Sequence, residues 1–376
     1  MSDLPGDPNR ESIPLLLARS TKRKLEAVRK SAPPQGEKPR PAVRPPPARI
    51  ATGGAIGYLR SWLGTAGTLL AAVLVLCAVF ADVLASDLPI ACKLHDKIVL
   101  FANVTQPAEL VALGSEGIER EATFQIWAVV RHGPGAARAG TGTGTGRVAG
   151  PADGHPFGTD LQGRDVFARV IHGTRTYLVF ALGAVVVSLL LGGLLGAMAG
   201  LFGGATDALV GRGIETVSAF PPLVLVLGIQ AAVPRATVAT LFFAIALTRW
   251  PEVARLVRAE VMQVATRDYV LAARALGASP LRVLRKHVAP NIRGQLMVLG
   301  ALGVPGVILI EASLDFLRVG APAGAASWGE TMSEFRDAPG AWWLLAFPGL
   351  FLFSTVVALT LVGEARREAL DPRARR

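Results

Sequence analysis

Long apolar runs alternate with short polar, Gly/Pro-rich breaks along most of the chain, and about 20 consecutive apolar residues suffice to cross a hydrocarbon core of about 30 Å. Such runs cover residues 64–84, 177–202, 214–233, 237–250, 291–310 and 342–362. Pro221 and Pro222 lack backbone donors and should kink the third, while Pro305 and Gly306 interrupt the fifth. The fourth is short. Residues 311–340 are too polar and too rich in Gly and Pro to span, and read as a re-entrant or surface element. The pattern predicts an all-α membrane protein of about six transmembrane helices.

One stretch breaks this rhythm. Residues 255–291 are basic and helical in pattern, yet lie between two apolar runs. Asp268 is placed to cap a short helix that stops at Gly277, where a left-handed conformation is easily adopted. Ser279 then caps a second helix, with Pro280 at its first position, and Pro290 is expected to end it. Leu271, Leu276, Leu281, Val283 and Leu284 form an apolar side with nothing inside the unit to cover it; Arg274, Arg282, Arg285 and Lys286 keep the other side in water. An amphipathic helical pair hung between two spans reads as a docking piece.

The segments divide as follows. Residues 1–62 form a polar, proline-broken, basic tail that buries too little apolar surface to fold alone, and 63–86 hold the first span. Residues 87–172 form an insert in which 91–104 and 123–130 read as short strands. The insert passes into a Gly/Ala/Thr linker at 133–154, whose TGTGTG run lacks the Lys-Ser/Thr ending of a phosphate loop. Residues 173–365 form the bundle core, and 366–376 a basic tail. Gly192, Gly196 and Gly200 lie on one helix face and permit close packing, inside this subunit's own bundle in preference to a dimer seam.

Composition supports the membrane assignment. The chain is 51% hydrophobic and 18% charged, against about 25% charged residues in a typical soluble domain. The net charge of +11 could signal nucleic acid, but Lys and Arg cluster beside the apolar runs as topology signals do. That bias puts both termini and the 255–291 unit on the cytoplasmic side and the 87–172 insert outside. The basic tail would also be drawn to anionic lipid. Cys77 and Cys92 show no metal or redox spacing, and a disulfide between them is not expected. His95, His132, His155, His172 and His287 form no ligand pair, no catalytic arrangement is arguable from spacing, and no metal or cofactor is expected. Asp82, Arg249 and Glu311 fall near span ends, leaving span interiors almost without ionisable groups. An ion-driven transporter needs such groups. Work must then come from a partner, through the 255–291 unit.

The stretch YVLAARALGASPLRVLRKHVAPN carries Ala272, Ala273, Gly277 and Pro290 at the spacing of the EAA loop, with Ala278, His287 and Asn291 matching its extended form. The block HPFGTDLQGRD (Gly158, Thr159, Asp160, Gly163, Arg164 and Asp165), the block EASLDFL and the tail ALDPR agree as well. Over residues 155–373 the chain resembles the second inner-membrane permease subunit of bacterial ABC importers of the dipeptide, oligopeptide and nickel group. It departs at Leu271, where the family has Glu, at Ala289, where it has Leu, and at Arg318, where Gly is usual. The resemblance implies a type I permease bundle with a periplasmic insert after the first helix, in the bacterial inner membrane. It implies pairing with a second permease subunit, two cytoplasmic ATPase subunits that hydrolyse ATP, and a periplasmic substrate-binding protein. Tyr269, Leu271, Ala272, Ala273, Gly277, Ala278, Ser279, Pro280, His287, Pro290 and Asn291 would form the ATPase-coupling loop. Peptides, or peptide-like antibiotics given a weak likeness over 86–101, are the implied cargo, with nickel chelates or other small solutes as the alternative. A membrane-anchored DNA-binding regulator and a stand-alone secondary transporter are the rivals from other classes. Asp160 and Asp165 could be imagined around calcium, but a turn capped by Asp160 fits better.

Overall fold

The computed structural model describes residues 62–94, 97–135, 148–152, 154–233, 237–320 and 325–370, all within the unit Gly53–Arg376. The N-terminal tail, His95, most of the Gly/Thr linker and the last six residues lie outside the described residues.

The apolar runs become helices, though their limits differ from those read off hydropathy. Helix α1 (Trp62–Val79) is followed by the short α2 (Ala81–Leu84). The insert then builds an antiparallel three-stranded sheet, ordered β2-β1-β3, from β1 (Ala91–Leu94), β2 (Lys97–Leu100) and β3 (Phe124–Ile126). Helices α3 (Ala102–Thr105) and α4 (Ala108–Glu121) lie between β2 and β3. Leu88, Cys92, Leu94, Leu110 and Ile118 give this insert a small core of its own. Both cysteines are free thiols, and burial raises the pKa of the Cys92 thiol.

Helix α5 (Val166–Phe202) is 37 residues long, about 55 Å at 1.5 Å per residue, longer than a hydrocarbon core of about 30 Å. Expected from 177, it starts earlier because the Asp165 side chain accepts the Ala168 N–H as an N-cap. Gly203 separates it from helix α6 (Gly204–Ser218). The third span does not kink but breaks: α6 and α7 (Pro222–Ala232) meet at 89°, with Pro221 as the N-cap of α7 and Pro222 in its first turn. Two adjacent prolines leave too many carbonyls without donors for the helix to pass through them.

Single prolines behave differently. Helix α8 (Val238–Ala265) runs through Pro251, and the fourth span therefore does not end at Trp250. Helix α9 (Asp268–Ala275) and helix α10 (Pro280–Val283) form the basic unit, and α10 passes through a π turn (Leu284–Val288) directly into α11 (Ala289–Phe316). Pro290 does not end a helix: it follows the π turn at the start of α11, and the chain stays helical through it. Pro305 likewise sits inside α11, with no interruption. Helix α12 (Trp328–Glu334) is followed by α13 (Trp343–Leu370), which runs through Pro348.

Among the described residues four helices are long and apolar enough to cross a membrane, or five if the bent α6–α7 pair is one span. Helix α8 is outside that count because it carries Arg249, Glu252 and a charged second half. The chain is the expected helical bundle, and the strands read at 91–104 and 123–130 form one small sheet in the insert.

The main core joins α5, α8, α11, α12 and α13 through Tyr177, Leu241, Ile245, Ile308, Trp328 and Leu344. Tyr177 stacks on Trp328 at 4.6 Å, and the Trp328 indole donates to the Val170 carbonyl at 2.8 Å. Residues 311–340 are thus not superficial as a block: the first six complete α11, and α12 is buried. Gly192, Gly196 and Gly200 face α8 within this chain. A Cβ at Gly196 would meet the Ala254 carbonyl at 2.4 Å, and one at Gly192 the Trp250 carbonyl at 2.5 Å, so the contact needs hydrogen at both positions.

Candidate functional site

Two polar constructions occupy opposite ends of α5. The basic unit, residues 255–291, follows the end near Phe202, where a Cβ at Gly200 would touch Arg258 and Val261 of α8. Helix α9 begins after Arg267, not Asp268. Arg267 holds the N-cap position with no side-chain bond, and Asp268 supplies a carboxylate to the first turn instead, where the helix dipole favours it. The helix closes with a Schellman motif: Ala278 N–H donates to the Ala273 carbonyl at 3.0 Å and Gly277 N–H to the Arg274 carbonyl at 2.9 Å. Gly277 takes φ +83, the left-handed value this motif requires. Ser279 caps α10 by accepting the Arg282 N–H, and Pro280 stands in its first turn.

The apolar residues of the unit split in two. Val270, Val283 and Val288 are fully buried against Val261 and Val264 of α8 and Ile292 of α11. Leu271, Leu276 and Leu281 stand uncovered, Leu276 with 90% of its surface exposed. Val283 and Leu284, expected on the uncovered side, belong to the anchoring side. Ala272, Pro280 and Pro290 are exposed, Ala273 and Ala278 half-buried. Tyr269 and Asn291 close the unit: the Asn291 amide donates to the Tyr269 hydroxyl at 3.2 Å and to the His287 carbonyl. The Tyr269 and His287 rings lie 5.8 Å apart. Helix α8 is tied to α6 by a two-pronged Arg258–Asp207 ion pair.

At the other end, residues 148–165 fold back on α12. Gly158 (φ +74) passes between Ala149 and Trp343, and a Cβ there would lie 2.6 Å from the Ala149 carbonyl. Thr159 accepts the Ala149 N–H through its hydroxyl at 2.8 Å, and its carbonyl accepts the Trp343 indole at 3.1 Å. Asp160 caps the turn by accepting the N–H groups of Gln162 and Arg164 at 2.9 and 2.8 Å. Its other oxygen takes the Arg164 guanidinium at 2.6 Å. Arg164 reaches Glu334, 170 residues away, at 3.1 Å. Arg169 donates to Glu330 at 2.9 Å and to Thr331 at 3.2 Å. His155 meets Asp165 at 2.6 Å. Burial pulls the Arg164 guanidinium down, yet Asp160, Glu330 and Glu334 together lift it above its ordinary value. Burial, with Asp160 beside it, holds the Glu334 carboxyl above the usual range, against the opposing pull of the Leu161 N–H, Arg164 and Arg169. The Asp160 oxygens are spent on arginine and backbone donors, and among the described residues no group of three or more His, Cys, Asp or Glu side chains could hold a metal.

Sequence reading missed Glu330 and Glu334 as the partners of the 158–165 block, and it placed Arg249 and Glu311 at span ends. Both are inside helices: Arg249 is the twelfth residue of α8, and Glu311 lies buried in α11, one turn before Asp315. Arg318 explains one departure from the family pattern. It takes φ +62, a backbone that glycine adopts freely, and its guanidinium is held by Ser333 and Asp337.

Several membrane-length helices, a loop clamp at one end and an exposed helical pair at the other define a multi-pass membrane protein. Residues 192–376 match the family described as "Binding-protein-dependent transport system inner membrane component". The chain belongs to that family. It is 38% identical over 227 residues to the oligopeptide transport system permease protein OppC of Bacillus subtilis (strain 168), covering 60% of this chain and 74% of that protein. It is 36% identical over 228 residues to the dipeptide transport system permease protein DppC of the same strain, covering 60% and 71%. A putative peptide transport system permease protein of Brucella suis biovar 1 (strain 1330) is 38% identical over 221 residues, covering 58% and 74%.

Proposed function

We propose that this chain is one of two permease subunits of an ATP-driven importer that carries dipeptides, oligopeptides or peptide-like compounds across the bacterial inner membrane. The observation that carries the cargo class is its likeness to permeases named for oligopeptide and dipeptide transport. The unit at 255–291 docks a partner ATPase through Leu271, Leu276 and Leu281, with Gly277 setting the turn. An uncovered leucine surface on a buried valine anchor suits a contact that another chain completes. Leu271 replaces the family's Glu with an apolar contact, so this docking relies on burial where a charge pair would otherwise serve. Both termini and this unit face the cytoplasm, and the insert and the 148–165 loop face a substrate-binding protein outside. Family membership sets aside the DNA-binding and secondary-transporter readings.

The test is uptake of a labelled tripeptide into proteoliposomes holding the chain with its second permease, ATPases and binding protein. Uptake should require ATP and stop with vanadate. Uptake that survives vanadate and collapses with an uncoupler would overturn the proposal.

A further inference from the structure

Arg249 is the charge that this fold leaves unexplained. It lies about 17 Å along α8 from Val238, and about 15–20 Å from the Phe316 end of α11, near the middle of both helices. Its side chain is 18% exposed. The guanidinium lies over Gly303 and Gly306 of α11: a Cβ at Gly306 would meet Nη1 at 2.7 Å, so the cation occupies space that any side chain there would contest. A guanidinium carries five N–H donors. Among the described hydrogen bonds one is used, Nη2 to the Glu252 carboxylate at 2.8 Å, and Glu252 itself is 56% exposed. The neighbouring Ser188 hydroxyl turns its single hydrogen to the Ala184 and Ala246 carbonyls, and among the described hydrogen bonds its oxygen takes none from Arg249. These groups, with Val185, Leu189 and Leu299, line a recess of about 10 Å³ open on the face of the subunit. It is far too small to hold a ligand alone.

Helix α11 is among the helices long and apolar enough to cross a membrane, and an arginine packed against its middle would cost about 2.5–3.5 kcal/mol if turned to lipid; such residues face water-filled routes or partners instead. We propose that Arg249 is a substrate-contacting residue of the translocation route, receiving the terminal carboxylate of the peptide, and that Glu252 is its resting counter-ion. This rests on the reading of the chain as a peptide permease. The exchange explains the geometry. A passing carboxylate takes the unused donors while the half-exposed Glu252 swings to water, so no charge is stranded at any stage. A fixed carboxylate from the second permease would duplicate Glu252 and leave it without a role. The recess is then one wall of a site that the second permease closes.

The test uses the assembled transporter in proteoliposomes with saturating loaded binding protein, comparing initial uptake of tri-alanine and of its C-terminal amide. Wild type should move the acid at least about fivefold faster, a charge-assisted pair being the stronger kind of hydrogen bond. Arg249→Gln should bring the ratio close to one, and Arg249→Lys should keep it above one. A purely structural role would lower both rates together and preserve the ratio. An unchanged ratio in Arg249→Gln, or a wild-type ratio of one, overturns the inference and leaves peptide import standing. Uptake of neither peptide by wild type overturns both.

Discussion

The 148–165 clamp and the 255–291 unit are both charged, and they treat charge in opposite ways. In the clamp, Asp160, Arg164, Arg169 and Glu334 are buried and bonded to one another. In the basic unit Arg274, Arg282, Arg285 and Lys286 stay exposed, and three leucines stand beside them. A buried ion network is costly to break, because removing one member strands the others away from water. Exposed charges on a short helix contribute little to stability. The clamp is therefore finished structure that fixes the register of α5 against α12, while the basic unit is a surface whose apolar half lacks its cover. The difference separates what holds the subunit together from the surface at which the proposed docking takes place.

The sharpest way to break this contrast is to remove a charge from each region. Arg164→Ala strands Asp160 and Glu334 and should cost about 3–5 kcal/mol, seen as loss of folded protein in a detergent melt. Arg282→Ala should leave the melting temperature unchanged. Equal losses in the two variants would erase the distinction.

A smaller effect sharpens it. The folded-state pKa of Glu334 is raised above the unfolded value of 4.5, by burial first and by Asp160 second, so its ionised form weighs against the fold and that cost is lost as pH falls through the raised value. The melting temperature of wild type minus that of Glu334→Gln should grow as the pH is lowered towards 4.5. A difference that shrinks or stays constant would contradict the burial argument.

Much of the basic unit was legible in the sequence because its signals are local. Gly277, Ser279 and Pro280 each act within a few residues, and each does in the structure what its chemistry dictates. What local rules could not give is which leucines or valines turn inward. Helices as short as α9 and α10 complete too few turns for periodicity to distinguish the two sides, and Val270, Val283 and Val288 are chosen by contact with α8 and α11. Lone prolines misled: Pro251 and Pro305 lie inside helices, as Pro348 does in the span read through it, because neighbouring helices can satisfy what a lone proline frees. Cutting α8 at Trp250 put Arg249 at a helix end and hid its central position. The Arg164–Glu334 contact spans 170 residues, and no spacing rule reaches so far.

The most direct test of the account is which side of the membrane Leu276 occupies and what covers it there. Leu276→Cys, with wild type as the control for Cys77 and Cys92, should react with a membrane-impermeant maleimide in inverted vesicles and not in intact cells, and bound ATPase should protect it. Labelling from outside intact cells, or labelling indifferent to the ATPase, would contradict the claim that this surface is where another chain's nucleotide cycle takes hold.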